Sequence, residues 1–477
     1  MLVGPATPSV AAGYEQLTLF KLPDEVIVLV LCLLDARSLA RVGATCSALF
    51  SERMNQVEGA LRQLAATRGH PCPTRLPPGF SSWVTHLAWL EHRRNEARAP
   101  VAVGHSHSFF VTKGGQLTSC GAEEEHTKGV LGLGELDGDN RVVRAPTQLP
   151  SMTGIRIRSV STQGGFSSAV SASGAIYTWG DGNWGRLGHG GEEGSRFPKQ
   201  VHALAGHIIL SVATGVCHCL AVTEEGEVFS WGSASSGECG HVISNGDQLL
   251  PRRVEALAGV RARGASAGWN HSLVVTENGA LYSFGDGSSG QLGHGIGCDE
   301  HTPRIVNALQ HLRITAAAAG YNHSLALTED GTVFSWGENS HNQLGLGRSG
   351  GWETLPQRVD ALCAVKVCSM AAGGDISGFV TSAGELLTMG YGLAGLLGHG
   401  DTTEQLEPRR VDALCGECIV SVSVSGWHII AVSHHGTVFG WGDTIGLGLP
   451  GGSGRLMAGL ILSTCSRYQH ISCQMSA

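Results

Sequence analysis

Five histidines fall at one register of a long internal pattern: His107, His218, His271, His323 and His428. Imidazoles repeated in this way could ligate a metal, move protons or tie neighbouring units together. Four more, His189, His241, His294 and His399, sit in Gly-rich strings. Two cysteine patterns also invite chemistry: Cys415-Gly416-Glu417-Cys418 and Cys217-His218-Cys219. Neither has a partner pair at zinc-site spacing, and both lie inside repeat units. The Gly-x-Gly strings offer backbone amides to a phosphate, yet none follows a strand and opens a helix with an acidic residue at dinucleotide spacing. No Ser, His and Asp gather around a nucleophile motif. The residues therefore predict no catalytic site, no metal and no cofactor. The first five histidines are expected to bond between repeats, and the other four to satisfy local backbone groups.

The elements holding these residues follow from bulk composition first. At 477 residues the chain is too long for one ordinary core unless that core is built from repeats. It is 42% hydrophobic and 15% charged, so it folds. It holds 69 Gly against 16 Pro with no Gly-X-Y period, which points to many tight turns and an all-β chain. A net charge of -8 argues against a nucleic-acid binder that works by neutralising phosphates. The longest apolar run, Val26 to Leu34, is too short to cross a bilayer as a helix, and no basic stretch precedes it as in a secretory signal. The 14 Cys are then expected to be reduced thiols, in the cytoplasm, the nucleus or both.

The repeat itself is read from an aromatic residue followed by Gly: Trp179-Gly180, Trp231-Gly232, Phe284-Gly285, Trp336-Gly337 and Trp441-Gly442, with Cys120-Gly121 and Met389-Gly390 as degenerate copies. These glycines recur every 52 or 53 residues after a first step of 59, giving seven units of which the first carries an insertion. The units share a grammar: a Gly-x-x-His start at Gly104, Gly215, Gly268 and Gly320, an alternating segment such as Leu325-Ala326-Leu327, a turn closed by Gly (Gly226, Gly279, Gly331), and a short strand ending on the aromatic–Gly pair. The turn glycine is expected at positive φ. A Gly-rich loop and a Pro-to-Leu segment, such as Pro303 to Leu309, complete the unit. Units of this length with several short strands suit propeller blades.

This pattern resembles the regulator-of-chromosome-condensation repeat family, including its HERC-like and ultraviolet-B-receptor-like members, over about four-fifths of the chain. The resemblance implies a mainly β fold, a seven-bladed β-propeller over 98–477. The last unit departs after Trp441, and Arg455 to Ser463 is expected to supply its final strands. Trp269, Tyr321 and Trp427 stand in register as in plant ultraviolet-B photoreceptors, but Asn270 and Asn322 occupy the arginine positions and Gly374 an aromatic one, so a photoreceptor is not expected.

Residues 17–67 change character: glycine nearly vanishes and apolar residues take helical spacing, as in Val26, Val30 and Leu33. Pro23 suits a first helical position, followed by Asp24 and Glu25. The strings Leu22-Pro23-Asp24-Glu25-Val26, Leu33 to Leu39 and Thr45 to Phe50 resemble an F-box, with Phe50 where a Trp is usual. That resemblance implies a small all-α module binding an SKP-type adaptor and hence a cullin, through Leu22, Pro23, Val26, Leu39 and Val42. Residues 1–16 read as a flexible N-terminus and 68–97 as a linker and docking helix. On the propeller, the insertion with Glu123, Glu124 and Glu125 reads as a solvated loop, and Trp184 and Trp352 as exposed aromatics in loops after the hairpin. These five are the candidate client contacts. Together the resemblances imply a non-catalytic substrate-recognition subunit of a ubiquitin ligase, with no nucleic acid or membrane as partner. The alternatives are guanine-nucleotide exchange on a small GTPase, or a plain scaffold.

Overall fold

Blade 4 shows how one repeat folds. Strand a (Ala262–Ala267) runs into a turn at Gly268 and returns as strand b (His271–Thr276), which pairs antiparallel with strand c (Leu281–Gly285) and then strand d (Glu300–Ile305). The b–c turn closes on Gly279 at φ 86°, where a side chain would be strained and would meet Arg313. Pro303 lies within strand d, the outermost strand, where the missing N–H leaves no ladder bond unmade. A short 3-10 turn (Asn307–Leu309) then buries Leu309 and leads into the next blade.

The computed structural model describes residues 100–462 apart from 125–126, 128, 137–140, 243–245 and 450–454, with backbone alone at 455–462. The chain divides between Glu96 and Ala97. The module expected over 17–67, with Leu22, Pro23, Val26, Leu39 and Val42, and the segment 68–97 lie outside the described residues.

Among the described residues there are seven four-stranded antiparallel sheets, each consecutive in sequence, which form a seven-bladed propeller. The last sheet takes its strand d from Arg455–Leu462, paired with Val438–Gly442, as the sequence led us to expect. The innermost strands, one per blade, pack side by side around the axis, and that of blade 1 (Val101–Val103) also meets that of blade 7 (Ile419–Val424). Val103 N–H donates to Ser423 Oγ across this junction at 3.3 Å. A shared apolar cluster that includes Val101, Phe110, Ile430 and Leu447 closes the ring without a strand exchanged between its ends.

One sequence expectation needs correction. Strand b was expected to alternate, yet every residue of Leu325-Ala326-Leu327 and of the whole strand His323–Thr328 is buried. A blade is stacked between two others, so both faces of its central strands are covered.

Candidate interaction face

The five registered histidines stand at the start of strand b in blades 1, 3, 4, 5 and 7, and each reaches the next blade. Nε2 of His218, His271 and His323 lies 2.8, 3.0 and 3.0 Å from the hydroxyls of Ser272, Ser324 and Ser377. His428 meets Ser108 at 2.7 Å, which joins blade 7 to blade 1, and His107 meets Thr162 at 2.6 Å. The serine proton is already committed: Ser272, Ser324 and Ser377 donate to the carbonyls of Glu238, Gln291 and Gln343 at 2.7 to 2.8 Å. The imidazole must therefore donate from Nε2, which assigns the neutral Nε2–H tautomer. Burial, reinforced by a neighbouring histidine, pushes His107, His218, His323 and His428 down to about 3. Burial also lowers His271 to about 4, against the opposing pull of Asp286. Expected as ties between repeats, these rings are ties, each with a hydroxyl at its other end.

Glycine at the head of the Gly-x-x-His start exists for this ring. A Cβ at Gly268 would stand 2.4 Å from His271 Cε1, and one at Gly320 would stand 2.1 Å from His323 Cε1. The Gly-rich-loop histidines meet hydroxyls of their own blades: His189 with Thr178, His241 with Ser230, His294 with Ser283 and His399 with Thr388, at 2.9 to 3.1 Å.

The serine partners were not legible in the sequence reading, although a signal existed. Blades 2 and 6 carry Phe166 and Ile376 in place of histidine, and the facing serine positions are then Cys219 and Ile429. Phe166 packs in one apolar cluster with Cys219, and Ile376 in another with Ile429. Histidine and serine thus appear and disappear together.

Chemistry at the cysteines is muted. Burial pushes the Cys217 thiol to about 11 and raises Cys219 well above its usual value, so neither offers a thiolate. Cys415 is exposed and Cys418 half-buried. Among the described residues no three His, Cys, Asp or Glu side chains converge as metal ligands would.

The remaining candidates among the described residues share one face. Antiparallel order puts the a–b turns and the c–d loops of every blade at the same end of the sheets. Trp184 lies there, 43% exposed, in the left-handed region at φ 59°, with the Arg186 guanidinium 4.5 Å over its ring. Trp352 is 64% exposed and is the first residue of strand d of blade 5, paired with Glu338, rather than a loop residue. Glu123 is buried and accepts a hydrogen bond from Leu131 N–H at 3.2 Å, so it braces the insertion instead of facing solvent. Half-buried Glu124 accepts from Ser106 Oγ at 3.1 Å, and Glu125 lies outside the described residues. Trp269 and Trp427, in the a–b turns, are also exposed on this face, with Tyr321 half-buried between them in register.

A family model for the RCC1-like domain matches residues 178–467. The chain belongs to the RCC1-like domain family. Its RCC1-like propeller is similar to the ultraviolet-B receptor UVR8 of Arabidopsis thaliana, 34% identical over 72% of this chain and 76% of that one. It is also similar to the E3 ubiquitin-protein ligase HERC2 of Homo sapiens, 35% identical over 70% of this chain; the chain spans only 7% of HERC2. Among solved structures, Prp20p from Saccharomyces cerevisiae shares the fold at a TM-score of 0.65 and 23% identity, covering 79% of this chain and 90% of that one. Human WBSCR16 does so at 0.63 and 22%, covering 72% and 92%.

Proposed function

We propose that this chain is the substrate-recognition subunit of an SKP–cullin–F-box type ubiquitin ligase, with the propeller as its client-binding part. The observation that carries this reading is the clustering of exposed Trp184, Trp269, Trp352 and Trp427 on one face of the ring. The blades are tied and packed without them, so their exposure is surplus to folding and suits a partner. The F-box-like string at Leu22 to Phe50 supplies the other half of the reading, an adaptor grip through Leu22, Pro23, Val26, Leu39 and Val42. The ubiquitin-ligase name of HERC2 agrees with that setting, though it belongs to a far longer protein. The subunit itself catalyses nothing; it raises the effective concentration of client lysines near a charged conjugating enzyme, in cytoplasm or nucleus.

Affinity purification of the full chain beside Leu22→Ala/Pro23→Ala tests the proposal. Wild type should retain the adaptor and the cullin, and the double variant should lose both while keeping its circular dichroism spectrum. Retention by neither, with both folded, would sink it. The second reading is guanine-nucleotide exchange; the Prp20p structure is described together with its binding to Gsp1p. Rapid nucleotide release from a panel of small GTPases by this chain would move exchange ahead.

A further inference from the structure

The inner rim of the tryptophan face is rich in acids, with His105 as the imidazole among them. Two registers line it: the a–b turns, and the residue directly after each aromatic–Gly pair. The second register contributes Asp181, Asp286, Glu338 and Asp443, the first adds Asp375, and neither contains a lysine or arginine. Asp181 is paired with Arg186 at 3.3 Å. The other four are held by neutral donors. Asp286 accepts from Ser288 N–H and Gln291 Nε2, and Glu338 from Asn322 Nδ2 and Ser340 Oγ. Asp375 accepts from Gln343 Nε2, and Asp443 from the Ile445 and Gly446 amides. Such bonds fix a carboxylate without cancelling its charge. Burial first, and then the charges of Glu338 and Glu404, raise the Asp375 carboxyl against the opposing pull of His341 and the Gln343 hydrogen bond.

An aromatic strip crosses the same rim. Trp269 packs edge-on against Tyr321 with ring centroids 4.9 Å apart. The Tyr321 hydroxyl comes within 3.1 Å of where a Cβ of Gly426 would stand, passing blade 6, whose turn residue Gly374 has no side chain. Beside Gly426, Trp427 packs on His105 at 4.9 Å. Trp269 is 43% and Trp427 47% exposed.

We propose that this strip docks an arginine- and lysine-bearing peptide segment of the client, laid across the mouth of the ring. Its cationic heads lie over Trp269 and Trp427 and between Asp286, Glu338, Asp375 and Asp443. Charge complementarity selects this occupant. A purely apolar partner would strip water from four carboxylates and return nothing, and a second copy of this face would set acid against acid. A cation over an indole gains from the ring quadrupole, and gains more where the surrounding charge is negative. The inference rests on the client-receptor reading and adds the chemical class of what is received.

The test uses the full chain and a fluorescein-labelled peptide of repeated Gly-Arg-Ser-Lys, followed by anisotropy. The expected result is saturable binding that weakens with salt. It should fall at least about tenfold in Trp269→Ala/Trp427→Ala and in Asp286→Asn/Glu338→Gln. It should stay unchanged in Glu329→Gln/Asp330→Asn, which removes equal charge at the b–c turn of the opposite face. Circular dichroism checks that each variant is folded, and Trp269→Phe should keep most of the binding. Equal losses in the opposite-face control, or equal binding of a peptide with Glu replacing Arg and Lys, would overturn the proposal. Adaptor retention is read separately, so loss of the ligase reading and loss of this one are distinguishable.

Discussion

At the residue scale, the fold depends on a buried carbonyl at each blade junction that must find a donor. Gln291 O receives both Ser324 Oγ and the Trp336 indole N–H. Glu238 O and Gln343 O receive serine alone, because Phe284 and Met389 stand where tryptophan would. Arg186 O and Leu396 O receive tryptophan alone, Trp231 and Trp441, because Cys219 and Ile429 replace serine. Degenerate repeats are thus compensated locally. Consider His271→Ile and Ser324→Ile, which copy the Ile376/Ile429 pair. Ser324→Ile alone strands an imidazole N–H and should cost about 1–3 kcal/mol in denaturant unfolding. The double variant should recover about 1–2 kcal/mol relative to additivity, since Trp336 still serves Gln291 O. The same exchange at His323 and Ser377 should recover less, because Met389 cannot donate; equal recovery at both junctions would contradict the account.

The same histidines set a pH dependence. They stay neutral in the folded protein down to about 3 or 4. In the unfolded chain they bind protons below about 6.5. Unfolding therefore takes up protons between these limits, and stability falls as pH falls from about 6.5 toward 4, by up to about 1.4 kcal/mol per histidine per pH unit. Urea midpoints measured across that window should drop, and the His271→Ile/Ser324→Ile variant should show a shallower slope. A flat profile would refute burial of neutral rings.

At the element scale, most of the blade was legible because its grammar is local. The Gly279 turn, the aromatic–Gly end of strand c and the Leu309 plug are each set by residues a few positions apart. What stayed hidden depends on neighbours distant in sequence. Strand b cannot reveal that both its faces are covered, and Ser324 gives no local sign of serving His271, which lies 53 residues away. Glu123 read as solvent-facing because its partner, the Leu131 amide, appears only once the insertion folds back. Trp184 is legible as an aromatic but not as a strained one. Its φ of 59° costs a side-chain-bearing residue about 1–2 kcal/mol. Trp184→Gly should therefore be more stable than Trp184→Ala by about 1 kcal/mol, as both lose the Arg186 stack and only glycine sheds the strain. Calorimetry showing alanine equal or better would mean the loop relaxes.

At the scale of the whole molecule, the ring turns seven imperfect repeats into one rigid face. Its closure at Val103–Ser423 and Ser108–His428 uses the same bond types as the internal junctions. No described element has to move for Trp184, Trp269, Trp352 and Trp427 to meet a partner. The candidate site was half legible: the sequence marked Trp184 and Trp352 and put Trp269, Tyr321 and Trp427 in one register, while the packing of that register into an exposed strip emerges only when the turns are brought round one axis. The central claim joins this face to an adaptor grip in the same chain, and direct binding tests it best. Purified SKP-type adaptor titrated into the full chain by calorimetry should give a saturable one-to-one isotherm that Leu22→Ala/Pro23→Ala abolishes and Trp269→Ala/Trp427→Ala leaves intact. No heat with the folded wild-type chain, or equal binding by the Leu22→Ala/Pro23→Ala variant, would contradict it.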